Sequence, residues 1–418
     1  MEHWLDIIMI PMQVVIVYYT MYYFILAAFG MWRRKKLKHA APKNTFAIVV
    51  CAHDEAAVIE PLVTNLGELE YPRELYDIFV VADNCSDNTA AIARNAGATV
   101  FERFNKEEVG KGYAMGWMFD HIYEMDRKYD AIAIFDADNL VHPDFLAEMN
   151  DHLEAGESVI QGYLNAKNPE DSWVAGTFAI AFWMVDHMWH LAKYNVGLST
   201  ALGGTGMVIR TEILQQYGWE CDGLTEDMEF SLKLLTHGVK TTWAHDAIVY
   251  DEKPIGFWQS WRQRKRWAQG HFECSERYIP KLFVEGIRHG DIRILDGIMQ
   301  ISQPYFLLFS TVYLIMTYLN AWVPVYTNII YQILPVTVWT IIGIGQYLFP
   351  LIVLAQIKVP TKVWFYFLVY PLFMYSWVPV TVLGWIHRHD KVWAHTVHTR
   401  SMTMGETKLT RMKTRQRK

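Results

Sequence analysis

Ala131-Ile132-Ala133-Ile134-Phe135-Asp136-Ala137-Asp138 is an apolar run that stops at two carboxylates one residue apart. Five consecutive apolar residues are too few for a typical helix and read as a strand covered on both faces. Four further short, β-branched runs read as strands, Phe46 to Cys51, Tyr76 to Ala82, Thr99 to Arg103 and Ser158 to Gly162, separated by polar, helix-competent stretches. This alternation from Thr45 to about Tyr250 predicts an α/β domain, with a mostly parallel sheet and helices on both faces. Ligands of such sheets bind beyond the carboxyl ends of the strands, which is where Asp136 and Asp138 stand.

Side chains two apart in an extended segment point the same way, so Asp136 and Asp138 can address one divalent cation. Mg2+ or Mn2+ held there would neutralise the polyanion left when the sugar–phosphate bond of a nucleotide sugar is cleaved. Standing alone, the pair reads more readily as a solvated strand end. Thr225-Glu226-Asp227 adds acids further on, with Asp227 the candidate base for an attacking hydroxyl. The same tripeptide also reads as a helix start in which Thr225 caps and the acids complement the helix dipole. Gln263, Arg266 and Trp267 fall within one helical turn of an aromatic, basic stretch. There Arg266 can grip diphosphate oxygens, Gln263 can donate beside it, and Trp267 offers a face to a sugar ring. Trp258, Trp261 and the basic residues around them also read as an amphipathic helix at an anionic membrane surface.

The rest of the composition sets the surroundings. The chain has 418 residues, 52% of them hydrophobic and 15% aromatic, with a formal net charge of -6, which excludes a disordered chain and gives no footprint for nucleic acid. Residues 6 to 30 form an apolar run long enough to span a bilayer, followed by Arg33, Arg34, Lys35, Lys36 and Lys38. This order predicts an uncleaved anchor with its N-terminus outside and the basic cluster in the cytoplasm. No charged residue lies between Asp296 and Lys358, another uncharged run covers 363 to 386, and the tail from His387 carries nine Lys/Arg against two Asp/Glu. A cytoplasmic tail requires an even number of crossings after the α/β domain, so either 297 to 357 holds three spans or the last run, with Pro371 and Pro379, is re-entrant. Cys51, Cys85, Cys221 and Cys274 have no metal spacing and read as buried thiols in a reducing compartment. His395 and His398 lack a third ligand, and Arg411 and Arg415 lack an accompanying β domain, so neither pair predicts a site.

The ordered set Val80-Val81-Ala82-Asp83-Asn84, Asp136-Ala137-Asp138, Thr225-Glu226-Asp227 and Gln263-x-x-Arg266-Trp267, enclosed by apolar runs, resembles the processive family 2 glycosyltransferases, which include cellulose, hyaluronan and poly-N-acetylglucosamine synthases. The resemblance covers about residues 45 to 275 by motif and implies a GT-A (Rossmann-like) cytoplasmic domain inserted between transmembrane helices. The implied layout is an anchor over 1–32, the GT-A domain over 43–255, interfacial helices with the Gln-x-x-Arg-Trp motif over 256–292, transmembrane helices over 293–386 and a basic tail over 387–418. In that pattern Asp54, Glu55, Asp83, Lys111, Asp136, Gln263 and Arg266 bind the donor, Asp136 and Asp138 hold the metal, and Thr225, Glu226 and Asp227 form the catalytic element. Trp267, Gly203, Gly204 and Thr205 line the acceptor end. Ala82 stands where the family commonly has a second acid.

The resemblance further implies inverting transfer from a UDP-sugar to a growing exopolysaccharide, coupled to export across the plasma membrane, with a lipid bilayer and accessory export subunits as partners. Transfer of a single sugar to a lipid carrier and a catalytically silent scaffold are the alternatives. The uncharged spans offer no ion-coupling residue for an active transporter.

Overall fold

The computed structural model describes residues 5–32, 36–221, 223–390 and 400–406. The tail residues His395, His398, Arg411 and Arg415 and the basic residues Arg33 to Lys35 lie outside them. An eight-stranded sheet forms from β1 (Phe46–Ala52), β2 (Tyr76–Asp83), β3 (Thr99–Arg103), β4 (Ala131–Asp136), β5 (Leu140–Val141), β6 (Val159–Ala166), β7 (Met207–Arg210) and β8 (Thr242–Asp251). Its order is β3-β2-β1-β4-β7-β6-β8-β5. The half from β3 to β4 is parallel throughout, as expected. Beyond it β7 runs antiparallel to both β4 and β6, and β5 antiparallel to β8, so the sheet is mixed.

Two-sided burial explains why the central strands read as unbroken apolar runs. Phe46, Ile48 and Val50 of β1 and Ala131, Ala133 and Phe135 of β4 pack on one face with the helices Ile59–Gly67 and Phe145–Glu154. Ala47, Val49, Ile132 and Ile134 pack on the other with Met115, Met118 and Phe119 of the helix Lys111–Glu124 and Phe230 and Leu234 of the helix Glu226–Thr236. β6 runs four residues past its expected end at Gly162, across an irregularity between Gly162 and Tyr163. A Cβ on Gly162 would stand 2.7 Å from the Ala247 carbonyl, so only glycine fits where the strands close up.

Among the described residues, three helices are long and apolar enough to cross a membrane: Asp6–Phe29, Gln303–Trp322 and Val336–Ile357. Residues 297 to 357 thus hold two long helices and the four-residue helix Ile330–Ile333, not three long spans. Asp6 accepts from the Thr327 amide at 2.6 Å, and buried Gln13 bonds both Thr327 O at 2.9 Å and the Ile329 amide at 2.8 Å. These bonds fix the start of the first helix beside the link between the other two. At its other end, Met31 O accepts from Gln356 at 3.1 Å.

The last apolar run is broken into Thr361–Tyr366, Tyr370–Tyr375 and Trp377–Ile386. Both of its ends are fastened to the α/β domain and the 33-residue helix Phe257–His289. Lys362 donates to Glu170 O at 2.7 Å, Gln269 donates to His387 O at 2.8 Å, and Arg388 pairs with Glu276 at 2.6 Å. In between, the fully buried Arg264 donates to Ser376 Oγ at 2.7 Å and lies over the Phe373 ring at 4.4 Å. The four cysteines are all free thiols.

Candidate active site

The carboxyl ends of β1, β2, β4 and β8 open onto one cavity of about 1670 Å3. Its wall includes Glu55, Asp83, Lys111, Asp136, Asp138, Gly203, Gly204, Thr205, Thr225, Glu226, Asp227, Gln263, Arg266 and Trp267, which is the whole predicted site apart from Asp54. Motifs scattered from residue 55 to residue 267 are thus brought together by the sheet. Asp54 is the exception because its backbone is left-handed (φ 53°), which turns its carboxylate away to accept from the Ser86 amide at 2.6 Å and the Asp87 amide at 3.2 Å.

Asp136 ends β4, and its carboxylate receives Lys111 Nζ, which also donates to Gly204 O at 2.5 Å and lies 4.0 Å from Glu226. Burial opposes the charge on Lys111, but Asp136 and Glu226 outweigh it and raise its pKa above the ordinary lysine value. The Asp136 amide donates to Thr205 Oγ1 at 3.0 Å, so Thr205 braces the carboxylate loop instead of facing the acceptor alone. Asp138 is buried and accepts from the Glu252 amide at 3.0 Å.

Asp251 and Glu252, at the end of β8, line the same cavity and were not singled out from sequence. One oxygen of Asp251 takes Lys253 Nζ at 2.8 Å, while the other is buried and without a partner. Burial, with Asp138 and Asp136 nearby, raises the Asp251 pKa. Asp136, Asp138, Asp251 and Glu252 line the same cavity, and one Asp251 oxygen is unmatched; hard carboxylate oxygens of this kind suit Mg2+ or Mn2+. Asp54, Cys85 and Asp87 also lie together, with ligand atoms within 4.8 Å of one another. Burial holds the Cys85 thiol up at about 11, and Asp54 is spent on loop amides, so this cluster braces a loop.

Asp227 sits in the first turn of the helix Glu226–Thr236. Burial and the adjacent Glu226 carboxylate raise its pKa to about 7. Thr225 does not cap this helix; its hydroxyl lies 3.7 Å from Cys274 Sγ, wedged against Gly270 of the neighbouring helix. Gly204 has φ 80°, and a Cβ there would stand 3.2 Å from Asp227 Oδ2. Gly204→Ala is therefore expected to cost about 1–2 kcal/mol in backbone strain and to displace Asp227, lowering turnover more than thermal stability; steady-state rates beside a melting curve check it.

Asp83 lines the cavity but is held by buried Arg103 at 2.8 Å, a partner that sequence spacing did not reveal. Arg266 donates to Leu224 O at 3.3 Å, just ahead of the Thr225-Glu226-Asp227 turn. Gln263 Oε1 is buried with no partner. Trp267 packs against Phe178 and Phe182, with ring centroids 5.7 and 6.0 Å away, and together they form an aromatic wall. One turn beyond Phe182, Asp186 is buried in the same cavity wall, and burial pushes its pKa well up. The segment 400–406 of the tail reaches the domain: Arg400 pairs with Asp171 at 2.7 Å, and Lys167 donates to both Arg400 O at 3.2 Å and Asp138 O at 2.7 Å.

Comparison with known proteins agrees with this arrangement. The family described as glycosyltransferase like family 2 matches residues 42–270, more than half of the chain. A beta-monoglucosyldiacylglycerol synthase of Trichormus variabilis is 28% identical over 247 residues, 56% of this chain and 49% of that protein. A poly-beta-1,6-N-acetyl-D-glucosamine synthase of Staphylococcus epidermidis is 23% identical over 262 residues, 62% of each. The chain thus spans about half to two thirds of the length of these curated relatives. Among solved structures, a mannosyltransferase of Pyrobaculum calidifontis, in complex with GDP-Man and Mn2+, shares the fold with a TM-score of 0.59 at 16% identity, over 93% of this chain and 100% of that one. With a GT-A-like α/β fold and the motif residues gathered in one cavity, this chain belongs to glycosyltransferase family 2.

Proposed function

We propose that the chain moves a sugar from a nucleoside-diphosphate donor, UDP-linked in the first instance, to an acceptor hydroxyl by single displacement with inversion. The observation that carries this reading is the meeting of Asp136, Asp138, Lys111, Asp227, Gln263, Arg266 and Trp267 in one cavity. Asp83 and Glu55 face the nucleotide. Lys111 and Arg266 put positive charge beside the diphosphate, and Gln263 donates alongside. Mg2+ or Mn2+ held through Asp136 and Asp138 supplies charge neutralisation of the leaving diphosphate. Asp227 accepts the proton of the attacking hydroxyl, in keeping with its raised pKa.

Because a base must be unprotonated, the pKa of about 7 sets the sign of the pH dependence. Transfer is expected to fall about tenfold per pH unit below neutrality and to level off above it, as an initial-rate profile at saturating donor would record.

The three long helices support a multi-pass membrane protein with the α/β domain on the cytoplasmic side. In this reading the first helix enters from outside, Gln303–Trp322 leaves and Val336–Ile357 returns. The run from 361 to 386 turns back without crossing, since both of its ends are tied to the catalytic side. Two crossings after the domain keep the basic tail in the cytoplasm.

The Gln-x-x-Arg-Trp motif and the similarity to the poly-N-acetylglucosamine synthase support a saccharide acceptor, whether a growing polysaccharide or a lipid-anchored sugar. Membranes offered a panel of UDP- and GDP-sugars with Mg2+ or Mn2+ test the proposal. Release of nucleoside diphosphate together with a glycosylated product is expected, and product sizing separates single addition from elongation. Absence of turnover with every donor would refute it.

A further inference from the structure

Four observations bear on what the acceptor is. Among the described residues the catalytic cavity is lined by ten carboxylates, three of which (Asp186, Asp227 and Asp251) burial draws toward the neutral form, against three Lys or Arg side chains, Lys106, Lys111 and Arg266. The last two already face Asp136 and the Thr225-Glu226-Asp227 turn. A donor diphosphate brings further negative charge. An anionic acceptor would add like charge in a water-poor space, where it is screened least.

The base points the same way. A phosphate oxygen attacks without losing a proton, whereas a hydroxyl must lose one, and Asp227 lines the cavity as a carboxylate that can take it.

The unmatched polar atoms of the wall are acceptors or neutral groups. Gln263 Oε1 and Asp186 Oδ2 are buried and accept from nothing, and His190 Nδ1 is likewise unmatched. Burial, and then the nearby Lys193, hold the His190 pKa at about 3, so its ring is uncharged. With its pKa pushed up, Asp186 can donate as well as accept, and His190 does one or the other by tautomer, while Gln263 Oε1 only accepts. A sugar hydroxyl, which both donates and accepts, can match all three; a fully ionised phosphate, which only accepts, leaves Gln263 Oε1 unmatched. Phe178, Phe182 and Trp267 beside them offer faces to a pyranose ring, and Asp186 and His190 follow Phe182 at spacings of four residues along one helical path.

Lastly, the cavity does not end at this polar wall. It continues along Tyr23 and Ala27 of the first long helix, Phe306, Leu307 and Leu314 of the second, and Gln346, Tyr347 and Pro350 of the third. From Gly297 to Ile357 no side chain is charged, and Leu314 and Tyr347 are 62% and 60% exposed, so the groove reaches the apolar flank of the helices. That apolar flank and Asp227 belong to one continuous cavity.

We infer that the acceptor is a membrane-anchored glycolipid whose terminal sugar presents an uncharged hydroxyl, and that Asp186, His190 and Gln263 form the subsite that holds this sugar against Trp267. The inference rests on the transfer reaction proposed above. In that reaction the acceptor oxygen bonds to the anomeric carbon and the bond from that carbon to the diphosphate breaks. The electron pair leaves on the nucleoside diphosphate, and the hydroxyl proton passes to Asp227.

The test uses the full chain in nanodiscs with an active donor and two kinds of acceptor: dodecyl glycosides (glucoside, mannoside and N-acetylglucosaminide) and dodecyl phosphate. At least one glycoside is expected to be extended and dodecyl phosphate not. Asp186→Leu and His190→Phe are expected to raise the KM for the glycoside at least tenfold. Donor KM and the slow donor hydrolysis seen without acceptor should stay at wild-type values, a split that a general loss of structure would not produce. Asp186→Asn, which keeps shape and an accepting oxygen, should retain most of the acceptor affinity. Transfer to dodecyl phosphate as efficient as to the glycosides would overturn the inference, as would a donor-competent Asp186→Leu protein with unchanged glycoside KM. If the wild type releases no nucleoside diphosphate from any donor, it is the transfer reaction that fails, and this is distinguishable because donor hydrolysis is measured separately.

Discussion

Asp227→Asn is expected to lower transfer by about a hundred- to ten-thousand-fold while leaving donor affinity nearly unchanged. The amide fills the same volume and can still accept from the Met228 amide, which Asp227 Oδ1 does at 2.7 Å, so the start of the helix stays in place. What disappears is the capacity to take a proton near neutral pH. The raised pKa of about 7 has a second consequence. Because burial and Glu226 disfavour the charged carboxylate, the variant should be as stable as the wild type or more so above pH 7, where the native carboxylate is ionised, and the difference should vanish in acid. Isothermal titration with the donor, together with single-turnover rates, checks both parts. Wild-type turnover in the variant would remove Asp227 from the chemistry.

Asp138→Asn is expected to be nearly as severe, about a thousand-fold, but for a different reason. Asp138 Oδ2 accepts from the Glu252 amide and Oδ1 from Asn139 Nδ2 at 3.1 Å, so an asparagine there must turn its NH2 group on one of these donors and gives up the negative charge that a cation needs. The loss should therefore depend on metal: raising Mn2+ should recover part of the activity of Asp138→Asn and none of that of Asp227→Asn. Chelation of the wild type should reproduce the Asp138→Asn phenotype. Equal recovery of both variants by Mn2+ would show that the two carboxylates do not divide the work in this way.

What the sequence revealed followed from local chemistry. β1 and β4 were legible because each is covered on both faces and stays apolar nearly throughout, and β2 and the edge strand β3 because β-branched and aromatic residues mark them despite Asp77, Glu102 and Arg103. β7, at four residues, is too short to show a period, and in β8 the half-buried His245 and Asp246 interrupt the pattern. The carboxylate pair, the Thr225-Glu226-Asp227 turn and the Gln-x-x-Arg-Trp motif were legible because chemistry demands those residue types at close spacing. Asp186, His190 and Asp251 were not, since they reach the cavity only through helix packing and the placement of β8. Motif matching also placed Asp54 with the donor, where a single left-handed residue turns its carboxylate elsewhere. The prolines at 371 and 379 hinted at a broken last run, but only the contacts of Lys362, Arg264 and Gln269 tie it to the α/β domain and the helix Phe257–His289.

The central claim is that one cavity carries out a single displacement at the anomeric carbon, with Asp227 on the attacking side and the diphosphate leaving opposite. NMR of the anomeric signal of product made from an α-linked nucleotide sugar tests this most directly. The account predicts a β-linked product from the first turnover; an α-linked product would contradict it.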